Sequence, residues 1–282
     1  MKIGFIGAGN MASAIMGGII ESGLVDASSV FASNPSREKL DELSSRLGIT
    51  PASSNSEIVR TCDVVVLAVK PAVLETVISE VATVDSDPLF ISIAAGKSIE
   101  WIEASFVHAR ALEGNLNVFE RIEGAARSVR LVRCMPNTPA LVGQGMSGLC
   151  ANATATEEDM RIALDIFGSC GRALQMSEQM VDVIGVVAGC TPAFTFLFIE
   201  ALADAAVAEG MSRADAYQVV SQAVMGSAQL ARDTGKHPGQ LKDMVTSPAG
   251  TTIEGVQALE EDGFRAAAMH AVRRAMEKTR KL

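Results

Sequence analysis

Lys2-Ile3-Gly4-Phe5-Ile6-Gly7-Ala8-Gly9-Asn10-Met11-Ala12 decides the fold. The apolar run from Lys2 to Gly7 reads as a short strand. From Asn10 to Glu21 the spacing changes to that of a helix, with Met11, Ile15, Ile19 and Ile20 on one side and Gly23 past its end. Between them lies a tight glycine turn of the form GxGxxA. Gly7 permits the sharp bend, Gly9 lets a ligand approach the backbone, and Ala12 is small enough for helix and strand to pack closely. The free N–H groups and partial positive charge of a helix start attract phosphate. A strand before the turn and a helix after it give the motif the context that dinucleotide binding requires, where a bare glycine turn would not.

Working outward, Val30 to Ser33, Asp63 to Val69, Leu89 to Ala94 and Val129 to Arg133 read as further strands. Asp63 to Val69 is apolar throughout after its first residue, as a strand covered on both faces is. Helical patterns alternate with these strands, at Ser36 to Arg46 and again from Pro71. The pattern predicts a parallel, doubly wound sheet. An enzyme of this class that uses NAD places Asp or Glu after the second strand, to bind the ribose hydroxyls. Here the segment is Ser33-Asn34-Pro35-Ser36-Arg37. Hydroxyl, amide and cation suit a 2′-phosphate, so NADPH is expected ahead of NADH. The competing reading is that Ser36 caps the next helix and Arg37 is solvated. Ala68-Val69-Lys70-Pro71 and Ala94-Ala95-Gly96 fall at strand carboxyl ends, where the ligand crevice of such a sheet lies. Lys70 reads as a cofactor contact or a surface lysine, and Asn55 as a cofactor contact or a helix cap. The turn Pro136-Asn137-Thr138-Pro139 reads as one wall of a nicotinamide site or as a purely structural turn. His108 to Arg127 reads as an insertion near the surface.

The remainder of the chain is helical in pattern. Thr191-Pro192 has the form of an N-cap and first helical residue, predicting a helix from there to Glu209. Ser212 to Asp215 has the form of a capping box opening a helix to Thr234, Pro238 begins a short helix, and Gly263 separates the last two. Phe194, Phe196, Phe198, Ile199 and Leu202 wrap too much of their helix for one buried face, so a homodimer interface is expected, the competing reading being an internal helix. Within Asp243 to Glu254, Thr251 and Glu254 fit another capping box. The amides of Gly250, Thr251 and Thr252 would then attract an anion such as a substrate carboxylate, although capping by itself explains Thr251 completely.

Composition narrows the function. The chain has 282 residues, enough for two domains, with 48% hydrophobic and 20% charged residues. A formal charge of −9 argues against nucleic acid. Five cysteines without CxxC spacing read as reduced, buried thiols, and the three histidines offer no pairing for a nucleophile. The N-terminal apolar run is too short for a signal sequence. Val181 to Ala208 is the most apolar stretch. It contains Pro192, Glu200 and Asp204, so it reads as a core or interface element rather than a membrane span, and a cytoplasmic location is expected.

Eight segments in order then carry a resemblance: 6–11, 33–36, 68–71, 94–96, 133–139, 189–194, 237–243 and 245–252. HPGQLKD at 237–243 and VTSPAGTT at 245–252 are far more specific than the glycine turn. The chain resembles the pyrroline-5-carboxylate reductases. The resemblance implies an α/β Rossmann-type dinucleotide-binding domain, placed at 1–177, followed by an all-α dimerisation and substrate-binding domain at 178–282. It implies NADPH-dependent reduction of a cyclic imino acid, 1-pyrroline-5-carboxylate, to L-proline, and homodimers that assemble into rings. Cofactor contacts carry over to Ile6, Gly7, Ala8, Gly9, Asn10, Met11, Asn34, Ser36 and Asn55. They also carry over to Ala68, Val69, Lys70, Pro71, Ala94, Ala95, Gly96 and Glu178. Substrate contacts carry over to Ser247, Gly250, Thr251 and Thr252, with Thr252 as the catalytic residue at the imine nitrogen. Three departures stand out, the first being that the stretch His108 to Arg127 is longer than is typical of the family. Cys190-Thr191 and Phe194 replace residues of the family's GSGPAY pattern, and Ala249 replaces a glycine. If position 249 needs a positive φ, alanine there is strained.

Overall fold

The computed structural model describes residues 1–112 and 128–281. Two compact units divide the chain, one of Met1–Gly189 with the residues from Thr279 onward, the other of Cys190–Lys278.

In the first unit the order is β1 (Ile3–Ile6), α1 (Asn10–Glu21), β2 (Val30–Ser33), α2 (Arg37–Leu47), β3 (Thr50–Pro51), α3 (Asn55–Thr61) and β4 (Val64–Leu67). A single turn at Pro71–Val73 leads into α4 (Leu74–Val81), followed by β5 (Leu89–Ser92), α5 (Ile99–Ala111) and β6 (Leu131–Met135). The unit continues with β7 (Gly145–Ala151), α6 (Glu157–Gly168) and β8 (Gly171–Gln175). The sheet order is β3-β2-β1-β4-β5-β6-β7-β8. Alternate strand side chains point to opposite faces, and the core divides accordingly. Ile3, Phe5, Val64 and Val66 join one apolar cluster with Ile15 and Ile19 of α1. Ile6, Val65 and Leu67 join the other with Ile58 of α3 and Ile78 of α4. Burial on both faces explains why these strands read as unbroken apolar runs.

Two expectations need correction, and one region goes beyond them. The sheet is not wholly parallel, because β7 runs antiparallel to β6, with Cys134 opposite Leu149. The 140–177 region, which gave no element by pattern, supplies β7, α6 and β8. The segment read as an insertion from His108 begins as helix, since α5 runs to Ala111; its remainder at 113–127 lies outside the described residues.

The helices that follow are α7 (Glu178–Ala208), α8 (Arg213–Thr234), α9 (Pro238–Met244), α10 (Thr251–Glu261) and α11 (Phe264–Thr279). Helix α7 does not start at Thr191 as its cap-like sequence predicts. It passes through Pro192 without interruption. Ser212 does cap α8, its side chain accepting from the Asp215 N–H. Helix α7 is long and apolar enough to cross a membrane by length and composition. Within the second unit only Ala203, Ala216 and Val220 form a buried apolar cluster among the described residues. Phe196 is 66% exposed and Leu197 67%. So few buried apolar residues cannot offset the entropy of ordering five helical segments. This unit needs a partner surface.

Candidate active site

The strand order reverses between β2-β1 and β4-β5, and the crevice outside the carboxyl ends at that point is where such sheets bind ligands. Strand β1 ends at Ile6 and the chain turns at Gly7, whose φ is +105°. A side chain there would be strained and would run into the carbonyl of Ala68, at the end of β4. Gly9 caps α1 with φ −79° and ψ 178°, and no side chain bonds to the helix start. A Cβ added at Gly9 would meet nothing within 4 Å. The first rung of the helix is the Ser13 N–H donating to the Gly9 carbonyl at 2.9 Å, so the amides ahead of it, at Asn10 and Met11, are unpaired by helix geometry. Open space, unpaired N–H groups and a helix start together make an anion cradle. The residues present therefore fit a dinucleotide pyrophosphate.

Around this cradle several sequence-predicted residues hold one another. The Ala8 N–H donates to Asn34 Oδ1 at 3.3 Å, and Asn34 Nδ2 donates to the Ser36 carbonyl at 3.1 Å. Ser36 caps α2, its hydroxyl accepting from the Lys39 N–H. Arg37 lies exposed and pairs with Asp41 at 3.0 Å. An exposed i,i+4 pair of this kind is worth about 0.3–0.5 kcal/mol, so it leaves Arg37 free to swing to a phosphate. Asn55 is not a helix cap: Ser54 caps α3. The Asn55 amide instead accepts from the Ser33 hydroxyl at 2.6 Å and donates to Glu80. Lys70 is exposed just ahead of the Pro71–Val73 turn, and Gly96 turns with φ +72° beyond β5.

Glu178, assigned to the cofactor by the resemblance, is engaged by two groups of the chain itself. Its Oε1 accepts the Ile99 N–H at the start of α5 at 2.7 Å and bonds Arg133 at 3.2 Å. Arg133 also bonds Asp182 one turn on. This polar knot joins β6, α5 and α7, and the sequence reading missed it. Its one visible signal is an arginine in the apolar run of β6. Asn137, read as a wall or a turn residue, has both amide atoms engaged: Nδ2 donates to the Ala188 carbonyl at 3.0 Å and Oδ1 accepts from the Met146 N–H at 2.8 Å. Helix and sheet come close here, for a Cβ on Gly185 would lie 3.1 Å from Met135 Cε.

Three of the cysteines are poor nucleophiles, and Cys190, expected to be buried, is only half-buried. Burial pushes the Cys62 thiol up to about 12 and the Cys150 thiol up to about 11, and raises Cys134 well above its usual range. Such thiols stay protonated at neutral pH. Among the described residues no group of three or more His, Cys, Asp or Glu side chains could hold a metal ion.

In the second unit, Ser247-Pro248-Ala249-Gly250 forms a tight turn closed by the Gly250 N–H donating to the Ser247 carbonyl at 3.1 Å. Ala249 has φ +55° and is the sole non-glycine residue with positive φ among the described residues. The strain anticipated at this position is present. Relief of about 1–2 kcal/mol, set against ~0.4–1 kcal/mol for the freer unfolded chain, leaves Ala249→Gly stabilising by about 0.5 kcal/mol. A thermal midpoint that falls in this variant would show the turn is not strained. The expected capping box is absent: Gly250, not Thr251, is the N-cap of α10, and no side chain caps it. Thr251 and Thr252 are therefore the first two helical residues, both exposed, and the amides at the helix start have no side-chain partner from the cap.

Comparison with known proteins places these features. Residues 178–282 match the family model described as pyrroline-5-carboxylate reductase dimerisation. Residues 2–96 match that described as NADP oxidoreductase, coenzyme F420-dependent. The pyrroline-5-carboxylate reductase of Escherichia coli is 44% identical over 282 residues, covering 100% of this chain and 98% of that protein. The chain belongs to the pyrroline-5-carboxylate reductase family. The enzyme of that name from Methanosarcina acetivorans is 45% identical, covering 100% of this chain and 97% of its own. A crystal structure of the Plasmodium falciparum pyrroline carboxylate reductase with NADP bound is 33% identical, with a TM-score of 0.82 over 99% of this chain and 97% of that one. The reductase thus combines a Rossmann-type unit with a family dimerisation region that includes the apolar helix α7.

Proposed function

We propose that this reductase uses NADPH to reduce 1-pyrroline-5-carboxylate to L-proline, the last step of proline synthesis, as a homodimer built through residues 178–282. The end-to-end match to reductases of that name at 44–45% identity carries the reading. The functional division follows 1–177 and 178–282.

Residue roles follow from the local chemistry. The Gly7-Ala8-Gly9 turn and the amides at Asn10 and Met11 hold the pyrophosphate, with Ile6 beneath. Asn34, Ser36 and Arg37 receive the 2′-phosphate where an NAD enzyme has a carboxylate. The segments Ala68-Val69-Lys70-Pro71 and Ala94-Ala95-Gly96 line the strand ends. Asn55 and Glu178 act one step removed, through Ser33 and through the Ile99 amide. Ser247 and the amides of Gly250, Thr251 and Thr252 hold the substrate carboxylate, and the Thr252 hydroxyl orients the imine nitrogen. NADPH, when bound, supplies the hydride. A protonated imine is already a good acceptor, so the chain's task is orientation and proximity rather than acid or metal catalysis.

A β-hydroxyacid dehydrogenase of the same architecture would need a lysine on the long helix, and 182–211 contains none. An NADP-binding sensor without turnover is the other alternative. The assay that separates them follows NADPH oxidation at 340 nm with five- and six-membered cyclic imino acids. Turnover with the five-membered acid is expected. NADPH binding without turnover of either ring would favour the sensor. Thr252→Ala is expected to lower kcat/KM about tenfold or more; near wild-type turnover would remove that residue from the mechanism. We further place the protein in the cytoplasm, without a nucleic-acid or membrane partner, and with rings of dimers as its assembly. The acidic charge supports the exclusion of nucleic acid, and Asp182, Glu200 and Asp204 within α7 support an interface over a bilayer.

A further inference from the structure

Proline inside a helix removes one rung of the ladder, because residue 192 has no N–H to give to the carbonyl four residues earlier. That carbonyl belongs to Ala188. It is not orphaned: Asn137 Nδ2 donates to it at 3.0 Å. The amide is oriented without ambiguity, since the Met146 N–H can only donate, and it meets Asn137 Oδ1 at 2.8 Å. Asn137 is 8% exposed, while its two backbone partners, Ala188 and Met146, are half-buried. It directly follows β6 and Pro136, which fix the backbone that presents it.

We propose that Asn137 is a positioning residue that supplies the hydrogen bond Pro192 cannot make, holding α7 continuous through its proline. The bond lies where the chain passes from one compact unit, ending at Gly189, to the next, beginning at Cys190. Arg133 fixes the first turns of the same helix through Glu178 and Asp182. Asn137 fixes its third turn, so the first three turns of α7 are held at both ends by side chains from β6 and the turn after it. The assignment stands apart from the substrate reading, because melting curves test it without any ligand.

The experiment is a double-mutant cycle on the full chain with Asn137→Leu and Pro192→Ala. Alanine at 192 gives its own N–H to the Ala188 carbonyl, making the Asn137 donor redundant. Asn137→Leu in the native background is expected to lower the thermal midpoint by about 5 °C, because it leaves the half-buried Ala188 carbonyl and the Met146 N–H without their partner. In the Pro192→Ala background part of that loss remains through the Met146 N–H, and at least about half of it should vanish. NADPH turnover with pyrroline-5-carboxylate should follow: about tenfold loss with proline at 192, within about twofold without it. Equal losses in the two backgrounds, in midpoint or in turnover, overturn the proposal.

Asn137→Asp gives a second reading that does not depend on the leucine variant folding. A neutral carboxyl keeps both roles, its C=O accepting from Met146 and its O–H donating to Ala188. Burial beside a carbonyl raises its folded pKa above the unfolded ~3.9. Its stability is therefore present when protonated and lost as pH rises through the folded value. The deficit against wild type should shrink by at least about half between pH 8 and pH 5. A deficit independent of pH overturns the proposal.

Discussion

Gly9→Val is expected to leave the thermal midpoint within about 1–2 °C of wild type while weakening NADPH binding at least ~100-fold, close to 2.7 kcal/mol. The two halves of that result come from one observation. The backbone at Gly9 is extended, with φ −79° and ψ 178°, which valine adopts without strain, and a Cβ there would meet nothing within 4 Å. The fold therefore gains no clash. The space the valine fills is the space in front of the unpaired amides of α1, where a pyrophosphate would have to come. Gly7→Ala gives the opposite pattern. Its φ of +105° and the nearby Ala68 carbonyl make any side chain a fault in the fold itself, so its midpoint falls. Fluorescence titration with NADPH and melting curves on both variants read the contrast. Wild-type NADPH affinity in Gly9→Val would place the pyrophosphate elsewhere.

That contrast shows what a sequence can and cannot convey. The strand-turn-helix at 3–21 was legible because each part is local: an apolar run, a glycine pair, a helical stripe. Strands β2, β4 and β5 were legible because burial on both faces leaves them apolar up to their carboxyl ends, where β2 and β5 finish in Ser33 and Ser92. Strand β7 was not, since Gly145 and Gly148 weaken its pattern, and its antiparallel direction depends on β6, a neighbour the local pattern does not reveal. Helix α6 left a signal that went unread: Thr156 and Asp159 form a capping box ahead of Met160, Ala163, Ile166 and Phe167. At Thr191-Pro192 the local rules pointed the wrong way. A proline there looks like a helix start, and nothing in the neighbouring residues reports that Asn137, 51 positions before Ala188, satisfies the Ala188 carbonyl that the proline leaves open. The segment at 247–254 shows the same limit on a smaller scale. Thr251 and Glu254 have capping-box spacing, yet the tight turn at Ser247–Gly250 moves the cap to a residue without a side chain.

Arg133 tests the least legible part of the site. Its side chain is 3% exposed, while those of its partners Glu178 and Asp182 are 36% and 43% exposed. The guanidinium is thus deeply desolvated, and its Nε is buried without a hydrogen-bond partner. Such an arginine is costly to bury, and the two carboxylates offset that cost. Arg133→Met keeps the length of the stem and removes the charge. It leaves Glu178 and Asp182 facing each other at i,i+4 with nothing between them, although both can still reach water. The loss expected for a fully buried pair, ~3–5 kcal/mol, is therefore discounted to about 2 kcal/mol, or roughly 4–8 °C in the midpoint. Glu178→Gln or Asp182→Asn alone should cost less, because the fork of Arg133 keeps one carboxylate. The triple variant Arg133→Met, Glu178→Gln, Asp182→Asn should recover part of the loss of Arg133→Met, since no unpaired charge remains. KM for NADPH should rise in Arg133→Met, for Glu178 also accepts the Ile99 N–H just beyond the Ala94–Gly96 turn. If Arg133→Met melts with wild type and binds NADPH equally well, the knot of β6, α5 and α7 does not hold the cofactor side of the sheet in place.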